Sequence, residues 1–113
     1  MIRYLKGFLA SKEDSMIVVE TGGIGYAVNV PAGSPLYLEQ VGEDVKVFIH
    51  MAVKEDDVSL YGFASEQELA LFRMLITVSG VGAKAAMAVL SAMPVTEIKK
   101  AIVFEDADMI ARA

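Results

Sequence analysis

Apolar and polar positions alternate through the first sixty or so residues and then change period. Val45, Val47, Ile49 and Met51 interleave with Lys46, Phe48 and His50, the two-residue repeat of a strand with one face on a core. Runs rich in β-branched and aromatic residues, separated by turn signals, predict strands over Ile2–Ala10, Ser15–Thr21, Gly25–Pro31, Val45–Val53 and Val58–Phe63. Thr21-Gly22-Gly23-Ile24-Gly25 reads as a glycine-rich hairpin connection between two strands. A dinucleotide fingerprint would need a helix directly after those glycines. Residues 32–40 break the strand pattern and predict a short helical turn. Five short antiparallel strands with a helical insert after the third predict a small barrel of the OB type, a three-plus-two sandwich being the alternative.

After Gly62 the spacing becomes helical. Leu71, Phe72, Leu75 and Ile76 form one apolar stripe, and Ser65 with Glu68 makes a capping-box pair that opens a helix at Glu66. Gly80 is expected to stop that helix in the left-handed cap conformation. A second helix is predicted over Ala83–Met93, stopped by Pro94. A third is expected over Glu97–Phe104 and a fourth over Ala107–Ala113, which ends without a terminating signal. The organisation predicted is a barrel domain over 1–63 and a small all-α domain over 64–113 that is cut short. From Ala85 to Met93 the second helix is small and apolar almost throughout. That predicts burial on all sides, in a helical core or an oligomer contact.

The turn between these helices is Gly80-Val81-Gly82-Ala83-Lys84. Its one bulky side chain, Val81, can plug the crevice between the helices while the flanking glycines leave backbone N–H groups bare. Bare N–H groups at a helix start form an anion site, and Lys84 sits beside them. This pattern predicts a helix-hairpin-helix, which grips a DNA phosphate without reading bases. An ordinary αα-hairpin with capping glycines is the plain alternative.

Charge refines that choice. The 113-residue chain has a formal net charge of −5, which taken whole opposes binding to phosphates. Residues 1–63 hold five Lys/Arg against nine Asp/Glu, whereas from Arg73 to Lys100 only Glu97 opposes Arg73, Lys84, Lys99 and Lys100. The hairpin region is thus locally basic within an acidic chain. There is no cysteine, hence no disulfide framework and no thiolate metal site, which suits a reducing cytosol. No apolar run reaches the ~20 residues of a membrane span, and the N-terminus lacks a signal-peptide pattern. A cytoplasmic protein is expected.

Lys54-Glu55-Asp56-Asp57 is an acidic loop between the fourth and fifth strands. Adjacent carboxylates can recruit a divalent cation, so a metal-dependent nuclease is one reading. Consecutive residues at a hairpin tip splay outward, however, which favours a solvated turn or a negative prong that repels phosphates. His50 has no second histidine or cysteine to join it and is expected to be a packed or surface residue. No catalytic residue, metal site or cofactor is assigned. No phosphate-binding loop of the nucleotide-hydrolase type is present, so ATP-driven work would fall to a partner.

Together, Gly22-Gly23-Ile24-Gly25-Tyr26, Lys54-Glu55-Asp56, Leu60-Tyr61-Gly62-Phe63 and Gly80-Val81-Gly82-Ala83-Lys84 resemble, in order, the RuvA family. These are the Holliday-junction-binding subunits of the bacterial branch-migration complex. The resemblance implies an OB-type first domain, a second domain with two helix-hairpin-helix motifs and a tethered third domain that contacts RuvB, the hexameric ATPase. It also implies a non-catalytic homotetramer, one or two per junction, on which four-way junction DNA lies open and square during recombination and repair. Gly80, Val81, Gly82, Ala83 and Lys84 match the first DNA-binding hairpin, and Glu55 and Asp56 match the acidic pin at the junction centre. Asp57 adds a charge to which the resemblance assigns no role. The chain stops at Ala113, about where the family enters its second hairpin. That hairpin and the motor-binding domain are therefore expected to be missing, with weaker DNA binding and no coupling to the motor. An acidic protein-interaction module is the remaining rival.

Overall fold

The computed structural model describes residues 1–78 and 80–92. Five strands, β1 (Tyr4–Glu13), β2 (Met16–Thr21), β3 (Ile24–Asn29), β4 (Asp44–Lys54) and β5 (Asp57–Phe63), close into a barrel in the order β1-β2-β3-β5-β4. The short helix α1 (Pro35–Leu38) lies between β3 and β4, and α2 (Glu66–Ile76) and α3 (Ala83–Ala92) follow the barrel. Closure settles the choice against a sandwich. The helices expected over 97–104 and 107–113 fall outside the described residues.

All neighbouring strand pairs are antiparallel except β3 and β5, which run parallel and register at a single pair, Asn29 opposite Tyr61. Gly22 and Gly23 form the two-residue turn between β2 and β3, each with positive φ (60° and 81°), as primed hairpin turns require. β1 runs three residues further than its sequence predicts. Its register against β2 slips between Leu9 and Ser11, a bulge beyond which the strand continues through the polar Ser11, Lys12 and Glu13.

The barrel interior is filled by apolar side chains at inward positions, among them Leu9, Ile17, Val19, Val28, Val47 and Ile49, all fully buried. Burying such side chains stabilises each by roughly 1.5–3 kcal/mol. Gly62 makes room for them, since an added Cβ there would overlap the side chains of Val28 and Val47.

A second cluster joins Phe63 at the end of β5 to Leu69, Leu71, Phe72 and Leu75 of α2 and to Ala86 and Val89 of α3. Phe48 and Tyr61 pack against it from the outer face of the barrel. The middle of the outer face of β4, at Phe48 and His50, is therefore packed against α2, while Asp44, Lys46 and Lys54 on the same face stay exposed. Phe72 is the hub, with ring centroids 5.0 Å from Phe63, 5.4 Å from Tyr61 and 5.3 Å from His50. Ser91 adds a polar tie across 59 residues: its Oγ accepts the Ala32 N–H at 2.9 Å and donates to the Met87 carbonyl at 2.8 Å.

Candidate functional site

The two long helices begin differently. Ser65 caps α2 by accepting the Glu68 N–H at 3.2 Å, and Glu66 and Glu68 place negative charge in its first turn. At α3 the Gly82 carbonyl accepts the Ala86 N–H at 2.9 Å, which puts Gly82 in the N-cap position. Glycine has no side chain with which to cap. The N–H groups of Ala83, Lys84 and Ala85 have no acceptor among the described residues, and no acidic residue occupies the first turn. Such a helix start attracts an anion through both its free donors and its dipole.

The turn leading into α3 corrects one expectation. α2 ends at Ile76 with Thr77 as its cap, and Thr77 Oγ1 donates to the Met74 carbonyl at 2.6 Å. Helix termination is thus complete three residues before Gly80. Gly80 instead shapes the following turn, closed by the Val81 N–H on the Val78 carbonyl at 3.0 Å, with a φ of 84° that side chains resist. Val81 packs half-buried against the cluster of α2 and α3, and Ala83 joins it there. Gly82 is exposed, and an added Cβ would meet nothing within 4 Å. Its bareness is therefore not required by packing of the described residues.

Lys84 is exposed beside this turn and lines a cleft of about 440 Å³ between α3 and the β3–β5 seam. Asn29, Ser59, Tyr61, Met87 and Ser91 are among the other lining residues. Sequence reasoning missed this barrel wall, because the residues come from three elements with no common motif.

Glu55 and Asp56 form the two-residue tip of the β4–β5 hairpin, and both are exposed. Asp57 is not at the tip. It pairs with Lys54 as the first residue of β5 and accepts a 2.9 Å hydrogen bond from Ser59 Oγ. Ser59 also lines the cleft, so the stem of the acidic hairpin borders the wall that faces Lys84. Behind the tip, Val53 and Val58 face each other across the hairpin, 62% and 55% exposed. The structure brings the five hairpin residues together and keeps the acidic tip apart from them.

Among the described residues no three His, Cys, Asp or Glu side chains gather as metal ligands. Of the packed and surface positions open to a lone histidine, His50 takes the packed one, against Tyr61 and Phe72. Burial, and then the nearby Arg73 charge, push its imidazole below the ordinary range. Along α3, Ala86 and Val89 are buried by the described residues, and Ala85, Ala88, Ser91 and Ala92 are exposed among them. Only one stripe of that helix is covered by the described residues.

Residues 1–62 match the family model described as the RuvA N terminal domain. A protein from Desulforamulus reducens named Holliday junction branch migration complex subunit RuvA is 41% identical over 112 residues, covering 99% of this chain and 55% of its own length. Namesakes from Thermus thermophilus (42% over 113 residues, 100% of this chain, 59% of the relative) and Xanthomonas campestris (45% over 112 residues, 99% and 58%) are similar. The chain spans little more than half the length of these relatives.

Proposed function

This chain belongs to the RuvA family, and from that premise we propose that it binds four-way DNA junctions by their shape, as one subunit of a tetrameric scaffold. The scaffold holds the junction open and square in the bacterial cytoplasm while a partner ATPase, RuvB, supplies the energy for branch migration. The start of α3 carries this reading. N–H groups with no acceptor among the described residues, an exposed N-cap glycine and Lys84 make a phosphate grip that is indifferent to base sequence. The polypeptide then needs no catalytic group of its own.

The acidic tip supplies the shape preference. In a four-fold assembly, four copies of Glu55 and Asp56 would face the crossover, where DNA phosphates are also crowded. Repulsion within the ~8 Å screening length of physiological salt keeps backbone from crossing the centre. A duplex lying straight across is disfavoured more than a junction whose arms splay around the tip.

The test compares a labelled four-way junction with a matched linear duplex, in Mg²⁺, using the full-length protein. The parent is expected to prefer the junction and leave it uncut. Glu55→Gln with Asp56→Asn keeps the shape and removes the charge, so duplex binding should tighten and discrimination should fall. Cleavage, or loss of binding that Mg²⁺ rescues only in the parent, would mean that these carboxylates are metal ligands and would overturn the scaffold reading.

A further inference from the structure

Away from the hairpin, three cations converge on one cavity. Arg3, Lys46 and Arg73 line a recess of about 260 Å³ where the barrel meets α2. They come from three places in the chain: just before β1, within β4 and near the end of α2. The backbone holds the start of the chain alongside β4, since Tyr4 pairs with Phe48, Lys6 with Lys46, and the Ile49 N–H donates to the Arg3 carbonyl at 2.8 Å. The Lys46 ammonium lies 4.7 Å from the centroid of the Tyr4 ring and 5.3 Å from that of Phe48, both of which also line the recess. Those ring faces hold the charge over the cavity instead of leaving it to sweep through solvent.

Among the described residues Glu66 is the only carboxylate lining the recess, so three positive charges there face one negative. None of the three cations forms an ion pair among the described residues. In a chain with 15 acidic and 10 basic side chains, gathering three unpaired cations opposes folding through mutual repulsion. The two rings under Lys46 offset part of that cost, and no ion pair among the described residues offsets the rest. Two guanidinium forks and an ammonium around a small recess are the donor set that suits a phosphate group, the forks binding its oxygens in pairs.

We infer that this seam is a second phosphate-binding site, and that its occupant is a backbone phosphate of nucleic acid. It extends the proposed DNA-binding role to a recess that none of the five hairpin residues lines. The anion chemistry itself does not depend on that role.

The test has two arms. In the first, the protein is titrated with pyrophosphate at constant ionic strength while the amide and arginine side-chain N–H signals are followed by NMR. Saturable shifts are expected at Arg3, Lys46 and Arg73, and Arg3→Gln with Arg73→Gln should abolish them without lowering the melting temperature. In the second arm, duplex affinity is measured against salt. Lys46→Gln with Arg73→Gln should reduce the slope of log affinity on log salt by about 0.9 for each phosphate released. Lys12→Gln, which removes a charge beside Tyr37, is the control for net charge. No saturable shift overturns the anion site. Saturable shifts with an unchanged DNA slope, or a slope that Lys12→Gln lowers equally, overturn the nucleic-acid occupant and leave free phosphate. A change of oligomeric state with neither effect assigns the seam to contact between copies and overturns the proposal. Failure of the parent to bind DNA would sink the junction reading, while the pyrophosphate arm would still decide the anion site.

Discussion

α2 and α3 meet the same physical problem at their first turns and meet it in opposite ways. Every helix begins with N–H groups that its own ladder cannot satisfy. At α2 the Ser65 hydroxyl takes one of them, the Glu68 N–H, and Glu66 and Glu68 sit on the positive end of the dipole. At α3 a bare glycine holds the capping position, and the only charged residue in the first turn is the lysine at position 84. A cap and a ligand compete for the same donors. One helix start is capped from within, and the other has no acceptor among the described residues.

The sharpest way to break this contrast is to give α3 a cap of its own. Gly82 does not hold a left-handed φ, and an added Cβ meets nothing within 4 Å, so Gly82→Asp should fold. Its carboxylate would occupy the free N–H groups, raising stability by a few tenths of a kcal/mol. DNA affinity should fall at least about tenfold, or ~1.4 kcal/mol. Thermal melting and a DNA titration on the same sample check both effects, and a folded variant with undiminished affinity would remove the start of α3 from the site.

Ser65→Ala makes the reciprocal change. It should cost about 1 kcal/mol of stability, read from urea unfolding, with DNA affinity unaltered under conditions where the protein stays folded. A comparable loss of DNA binding would show that the two helix starts are not functionally distinct.

The smallest effect concerns acid. The pKa of His50 is lowered in the folded protein, so below about pH 6.5 the unfolded chain takes up the proton first and stability is lost as pH falls. His50→Phe keeps a ring against Phe72 and should flatten that decline in unfolding midpoints measured at successive pH values. Glu68 has the opposite sign. Burial pushes its carboxyl up, only partly countered by the Ala64 N–H, so its contribution is lost as pH rises above the ordinary carboxylate value. A slope unchanged by His50→Phe would place the acid sensitivity elsewhere.

Local signals in the sequence carried far. Ser65 and Glu68 announce the start of α2 because a cap is a short-range hydrogen bond, and Gly22-Gly23 announces its turn because few other residues tolerate two positive φ values in succession. The order Gly80-Val81-Gly82 located the hairpin, although Gly80 shapes the turn after the helix instead of ending it. What depended on distant partners was not legible. The bulge after Leu9 leaves no mark except a broken alternation. Nothing in β4 distinguishes Phe48 and His50, which lie against the helices, from residues facing water. The small residues of α3 predict burial on every side, and the described residues cover the Ala86 and Val89 stripe. Arg3, Lys46 and Arg73 are scattered along the chain and converge only when the barrel closes and α2 folds back on it.

The single registered pair between β3 and β5 gives the barrel an uneven resistance to opening. Every other strand junction is held along several residues, so thermal fluctuations should part the wall first at Asn29 and Tyr61. The Lys84 cleft lies over that seam, and the Ala32 N–H, just beyond β3, is held by Ser91 of α3. Lifting α3 therefore exposes the Ala32 amide to solvent exchange and removes the brace beside the weakest joint. Undocking of the helix and breathing of the barrel become one cooperative event, with the exchange rate of a single amide proton as its clock.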